Sequence, residues 1–352
     1  MKPFLSVLIP CRNEARFLDR CLDSILSNDY PPGRMEVLVI DGASTDSTRE
    51  RIAQYQYRDA RVRLIENPER ITPCALNRGI AAARGEIIAR IDAHAAIAPD
   101  YLRRSVEHLL SSGADNVGGV MRTLPQDPGW FAGPIVAALS HPFGVGNSYF
   151  RIGSAEPRFV DTVFGGCWRR EVFDRVGGFN SNLRRSQDME FSLRLKAAGG
   201  RTLLVPAISS DYYARSRMGP LWRHNFANGQ WAILPFLYSS VVPVALRHLV
   251  PLLFVLSLGL GAAMMPWGAL PLSAVAVPYT LANLAASFDV AVHAPADERR
   301  WVYFFRMSLV FLSLHLGYGL GSLAGLGQAA AVVACRLARA NRSEETTCIP
   351  QP

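Results

Sequence analysis

Apolar and polar positions change rhythm several times along the chain, and each rhythm predicts an element. Residues 4–10 form a short apolar run ending at Pro10, the pattern of a strand buried on both faces of a parallel sheet. Phe17, Leu18, Cys21, Leu22, Ile25 and Leu26 then recur at helical spacing. Strand-like runs return at 35–40, 62–66 and 87–91. Between them lie a helix opened by a capping box, Ser47-Thr48-Arg49-Glu50, and a second helix over 71–83 that closes near Gly85. The alternation predicts an α/β fold with a doubly wound, mostly parallel sheet and right-handed crossovers. Over 100–210 the rhythm is mixed. It supports helices after Asp100, over 130–139 and over 186–198, and strands over 116–122 and 159–163.

The last third of the chain is different. Residues 220–235 set Leu221, Trp222, Phe226, Trp231 and Ile233 among Arg223, His224 and Asn225, which suits a helix lying in a membrane interface or docked on a soluble domain. Three apolar stretches follow, at about 248–265, 270–288 and 304–326, near the length that crosses a bilayer. The predicted organisation is therefore a catalytic-type α/β domain over 1–240, a transmembrane helical region over 241–335 and a tail over 336–352. Arg247-His248 and Glu298-Arg299-Arg300 place the flanks of the first two spans inside, while Arg336, Arg339 and Arg342 conflict with that rule for the third. Gly317, Gly319, Gly321, Gly325 and Gly327 offer one resolution, a re-entrant or split third element.

Charge narrows the partners. A net charge of +8 over 352 residues, carried mostly by scattered arginines, fits diphosphates and anionic headgroups better than a nucleic-acid groove. No nucleic-acid partner is expected. The six cysteines contain no C-x-x-C pair and no zinc spacing. The start, Met1-Lys2-Pro3-Phe4, runs directly into the first strand, so no signal peptide is expected before the fold.

Candidate chemistry sits where strands end. In doubly wound sheets ligands collect at the carboxyl ends of the strands, so three loops should meet: Pro10-Cys11-Arg12-Asn13-Glu14, Asp41-Gly42-Ala43-Ser44-Thr45-Asp46 and Asp92-Ala93-His94. Asp92 and His94, two apart on extended chain, present a carboxylate and an imidazole on one side. That pair suits Mn²⁺ or Mg²⁺, which would neutralise a diphosphate leaving group. Each loop alone is better explained by turns and caps than by function; three on one sheet edge reverse that balance and favour a ligand site. Asp188 opens a predicted helix, where an anion is stabilised, and a general base placed there would need reach to an acceptor hydroxyl. Gly144-Val145-Gly146 lacks the third glycine of a dinucleotide fingerprint.

The segments Val7-Leu8-Ile9-Pro10-Cys11-Arg12-Asn13-Glu14, Val39-Ile40-Asp41-Gly42-Ala43-Ser44-Thr45-Asp46 and Asn77-Arg78-Gly79…Gly85 resemble family 2 glycosyltransferases of the GT-A fold, over about 4–230. The Arg90–Ala95 variant and the three-span tail look most like the succinoglycan-biosynthesis glucosyltransferases of that family. The resemblance implies an inverting, membrane-anchored hexosyltransferase that moves a sugar from a nucleotide-sugar donor, UDP-linked by family weight, to a hydroxyl of a lipid-linked saccharide. It implies Asp188 as catalytic base, Asp92 and His94 as metal ligands, and Pro10, Arg12, Glu14, Asp41, Asp92, Ala93 and Arg223 as donor-binding residues. Gly166 and Trp168 fall on the acceptor side, with Trp168 either stacking on a sugar or buried in the core. The location implied is the inner (cytoplasmic) membrane, multi-pass, with the catalytic domain facing the cytoplasm in exopolysaccharide or cell-surface glycan synthesis. Three departures stand out: Ile40 where the family has a first acid, His94 for the last Asp of D-x-D, and Gln187 for the Glu of E-D. A polyprenyl-phosphate glycosyltransferase and a non-enzymatic membrane scaffold of a polysaccharide assembly complex are the competing readings.

Overall fold

A computed structural model describes residues 2–296 and 298–340. The strands among them are β1 Leu5–Cys11, β2 Met35–Asp41, β3 Val62–Glu66, β4 Ile87–Arg90, β5 Ala95–Ile97, β6 Asn116–Pro125, β7 Arg158–Val160, β8 Phe164–Arg169 and β9 Thr202–Ala214. The helices are α1 Leu18–Leu26, α2 Thr48–Arg58, α3 Thr72–Ala82, α4 Tyr101–Ser111, α5 Ala132–Ala138, α6 Pro142–Val145, α7 Tyr149–Ile152, α8 Glu171–Val176, α9 Gln187–Ala197, α10 Met218–Ile233, α11 Val250–Ala263, α12 Leu270–Val292 and α13 Arg300–Ala340. The chain forms two units, one of residues 1–126 and 139–214, the other of 127–138 and 215–352. The division between the two falls at Ala214/Arg215, with α10 in the second.

The first unit is one sheet in the order β3-β2-β1-β4-β8-β6-β9-β5, with β7 on β9. The β3-β2-β1-β4 half is parallel, as its apolar runs predict. The other half is mixed, with β8 antiparallel to both β4 and β6. Alternation sorts β1 between two cores. Leu5, Val7 and Ile9 pack with Leu18, Leu22 and Ile25 of α1, while Leu8 faces Leu38, Ile40, Leu76 and Phe191. Under the sheet Glu36 is fully buried, accepting hydrogen bonds from Ser6 Oγ at 2.7 Å, the Arg84 amide at 2.6 Å, Arg63 Nη1 at 2.7 Å and Arg84 Nε at 3.0 Å. Burial works against that charge, but these donors outweigh it and hold the carboxyl below its usual range.

Two local expectations change. The capping box does not form, because Ser47 makes no side-chain cap bond. Asp46 does the capping instead, its Oδ1 accepting from the Thr48 amide at 3.0 Å and from Thr48 Oγ1 at 2.5 Å. The strands β8 and β9 were not apparent in the mixed region, where Phe164-Gly165-Gly166-Cys167-Trp168 has no alternation to read.

In the second unit three segments are long and apolar enough to cross a membrane: Leu246–Ala263, Leu270–Val292 and Arg300–Ala338. The third element is neither split nor re-entrant. Its 41 residues form one helix, about 60 Å long at 1.5 Å per residue. The glycines serve close approach rather than backbone freedom. A Cβ on Gly321 would lie 2.0 Å from the Phe226 carbonyl oxygen, and one on Gly229 would lie 2.0 Å from that of Tyr318. Small residues let α10 and α13 touch backbone to backbone. Ser322 Oγ donates to the Gly229 carbonyl at 3.1 Å across the same contact. Arg223 lies on α10, within this second unit. The tail beyond residue 340 falls outside the described residues.

Candidate active site

The three loops named by the sequence meet at the carboxyl edge of the parallel half. Asn13, left-handed at φ 56°, ties the first two together. Its amide donates to Ser44 Oγ at 2.9 Å, and its Oδ1 accepts from the Thr45 amide at 2.8 Å. The Glu14 amide donates to Thr48 Oγ1 at 2.9 Å. The third loop joins through His94, whose Nδ1 lies 3.1 Å from Glu14 Oε1. A pocket opens between them, lined by Pro10, Arg12, Glu14, Arg90, Asp92 and His94, with Gly42 and the segment from Asn67 to Ala75 closing its far wall. Ala43 and Arg70 also take left-handed φ values, 54° and 60°. Backbone strain of this kind, about 1–3 kcal/mol per residue, gathers where a loop is shaped for a ligand.

Charge in the pocket is organised around Asp92. Arg90 Nε donates to its Oδ1 at 2.9 Å. Burial opposes ionisation, but Arg90 and His94 outweigh it, so the Asp92 carboxyl stays below its usual range. The His94 ring also meets Tyr212 of β9 edge-on, at 5.4 Å between centroids. Asp188 stands exposed in the first turn of α9, after Ser186 turns the chain with a left-handed φ of 59°. Its charge acts on both Arg90 and Arg151.

Four of the expected site residues lie off the pocket wall. Trp168 is 3% exposed and sits among Phe173, Phe179 and Phe191, with centroids 5.8–6.2 Å away, so no sugar reaches its face. Gly166 belongs to the same packing, since a Cβ there would fall 2.3 Å from the Trp168 ring. Asp41 is fully buried and does not line the pocket; its Oδ1 accepts from Ser44 Oγ at 2.5 Å, which builds the turn that presents Gly42. Ala93 is buried with its side chain in the core, between the two pocket-lining neighbours. The sequence reading also passed over Asn67, Arg70 and Thr72. The signal was available, because β3 ends on the same sheet edge as β1, β2 and β4.

No group of three His, Cys, Asp or Glu able to hold a metal occurs among the described residues. Asp92 and His94 nevertheless put a carboxylate and an imidazole on the pocket wall, a donor set of the kind Mn²⁺ or Mg²⁺ takes.

Comparison with known proteins agrees with this geometry. Residues 6–177 match the family described as glycosyl transferase family 2. The chain is 33% identical over 248 residues to the succinoglycan biosynthesis protein ExoA of Rhizobium meliloti, covering 70% of this chain and 74% of the relative. It is 27% identical over 241 residues to the glycosyltransferase AglE of Haloferax volcanii, covering 68% and 76%. Among solved structures, a mannosyltransferase from Pyrobaculum calidifontis, in complex with GDP-mannose and Mn²⁺, shares the fold at a TM-score of 0.59 and 22% identity, covering 90% of this chain and 87% of that one. A parallel half-sheet with its charged pocket at the carboxyl edge, and a relative matched over three-quarters of its length, place this chain in glycosyltransferase family 2, an enzyme of the GT-A fold.

Proposed function

We propose that the chain is an inverting hexosyltransferase, anchored in the cytoplasmic membrane by its apolar helices, that transfers sugar from a UDP-sugar to a hydroxyl of a lipid-linked saccharide. The observation that carries the reading is the convergence of Pro10, Arg12, Glu14, Asp92 and His94 on one pocket at the sheet edge. The ExoA relative supports an exopolysaccharide or surface-glycan setting. The three long apolar segments support a multi-pass anchor, with the α/β unit facing the cytoplasm, where nucleotide sugars are made.

In this mechanism Gly42, Asn67 and Thr72 enclose the nucleoside, and Arg12 and Glu14 frame its ribose and phosphates. Glu14 holds the His94 ring in place through Nδ1. Asp92 and His94 would hold a divalent ion, Mn²⁺ or Mg²⁺, which supplies charge neutralisation for the departing nucleoside diphosphate. Asp188 takes the proton of the acceptor hydroxyl, whose oxygen attacks the anomeric carbon on the face opposite the leaving group. The anomeric bond breaks with its electron pair passing to the diphosphate.

Calorimetry with UDP on the detergent-purified full chain tests this reading, first with Mn²⁺ and then with excess EDTA, with Asp92→Ala as the comparison. Binding that Mn²⁺ strengthens, and that Asp92→Ala weakens, is the expected result. Failure of UDP, GDP and dTDP alike to bind would remove the nucleotide-sugar reading and leave the scaffold.

A further inference from the structure

Arg90 ends β4 opposite Leu8, where the parallel half meets the mixed half in the middle of the sheet and the neighbouring strands carry apolar residues. It is 7% exposed. Two half-buried arginines of this unit have their forks filled. Arg170 donates to the carbonyls of Gly85, Ile80 and Ala83, and Arg194 spans Glu190 and the carbonyls of Val176 and Gly178. Arg90 differs. Its Nε is spent on Asp92 Oδ1, but neither Nη meets a protein acceptor among the described residues. Neither Nη is sealed from solvent, and the side chain lines the pocket. A guanidinium carries five N–H donors in a rigid plane, so with Nε spent on Asp92 the Nη groups of this pocket-lining side chain are the donors left for a ligand.

We propose that Arg90 is a phosphate-binding residue of the donor site, its Nη groups taking an oxygen of the nucleoside diphosphate while its Nε fixes Asp92. This rests on the nucleotide-sugar reading and deepens it. The pocket then holds a cation of its own, pinned by Asp92 beside the place where a divalent ion would sit. Arg12 and Arg70 also line the pocket, but both are exposed and their charge is screened by water. Arg90 alone among the three combines burial with a fixed fork, the setting in which a guanidinium–phosphate bond is strongest. The consequence is that diphosphate binding survives removal of the metal, weakened but present.

The experiment is calorimetry of UDP and of uridine on the full chain in detergent, each with Mn²⁺ and with excess EDTA, for wild type, Arg90→Lys and Arg90→Met. Wild type is expected to bind UDP in EDTA. Both variants should bind UDP in EDTA about tenfold to a hundredfold more weakly, the loss of one or two charge-assisted hydrogen bonds, with Lys the milder. Uridine affinity should change less than about twofold, because no phosphate is involved, and melting temperatures report that the variants remain folded. The proposal is overturned if wild type binds UDP with Mn²⁺ but not in EDTA, or if the variants match wild type in EDTA. Equal losses for UDP and uridine overturn it too, since they mean Arg90 only shapes the loop. Failure of wild type to bind any nucleotide even with Mn²⁺ defeats the nucleotide-sugar reading itself, a distinguishable result. If GDP binds and UDP does not, the same comparison runs with GDP and guanosine.

Discussion

Replacing Trp168 separates a core role from an acceptor role. The indole is enclosed by Phe173, Phe179 and Phe191, and its Nε1 has no hydrogen-bond partner among the described residues. Trp168→Ala removes the whole ring from a packed site, which costs about 3–5 kcal/mol. At about 2–4 °C per kcal/mol for a domain of this size, the melting temperature should fall by roughly 6–20 °C. Trp168→Phe behaves differently. It forfeits roughly 50 Å² of buried ring, about 1.2 kcal/mol at 25 cal/mol per Å². It also removes a buried unpaired N–H whose desolvation costs about 1–3 kcal/mol. The two nearly cancel, so Trp168→Phe should melt within a few degrees of wild type. Thermal melts of the detergent-purified chain, with KM for the acceptor measured on the Phe variant, make the test. A Phe variant that melts like wild type while its acceptor KM rises about tenfold would refute the buried placement and restore the sugar-stacking reading.

Glu36→Gln should cost about 2 kcal/mol at neutral pH, a low figure because Arg63 and Arg84 are themselves partly solvated. Since folding lowers the Glu36 pKa, its contribution is complete above the unfolded carboxylate value, near pH 4.3 by the usual reference, and is lost as pH falls through the folded value. Melting wild type and variant across pH 3–7 should show the gap narrowing at the acid end; a constant gap would contradict the ionised pair. Gly321→Ala should destabilise the helical unit by about 1–3 kcal/mol through the clash with Phe226, whereas Gly327→Ala, with open space at its Cβ, should not. Equal melts for the two variants in detergent would show that α10 and α13 do not meet as described. Asp188→Asn should lower turnover by about 10²–10⁴ while leaving UDP affinity unchanged. Retention of most turnover would instead favour a lipid phosphate as acceptor, which needs no deprotonation.

Much of the parallel half was legible because β1, β2 and β4 are buried on both faces and read as mostly apolar runs. The turn residues at the strand ends then mark the site, since Pro10, Glu14, Asp92 and His94 are polar or rigid groups where apolar runs stop. Local patterning also supplied the apolar C-terminal segments, because length and lack of charge are one-dimensional properties. Tertiary structure decided what depends on partners distant in sequence. Asp41 and Asp92 look alike as strand-end acids, but Ser44 and burial take one out of the pocket, while Arg90 and His94 fix the other on its wall. Trp168 could stack on a sugar or fill a core, and only the arrival of Phe173, Phe179 and Phe191 from α8, α9 and the loop between them settles it. The glycines of α13 read as freedom in one dimension and prove to be contact surfaces in three, because a missing Cβ matters only when another backbone comes within 2–3 Å. Arg90 is the sharpest case: in the sequence it is one arginine among many, and its meaning lies in which of its donors the fold leaves unfilled.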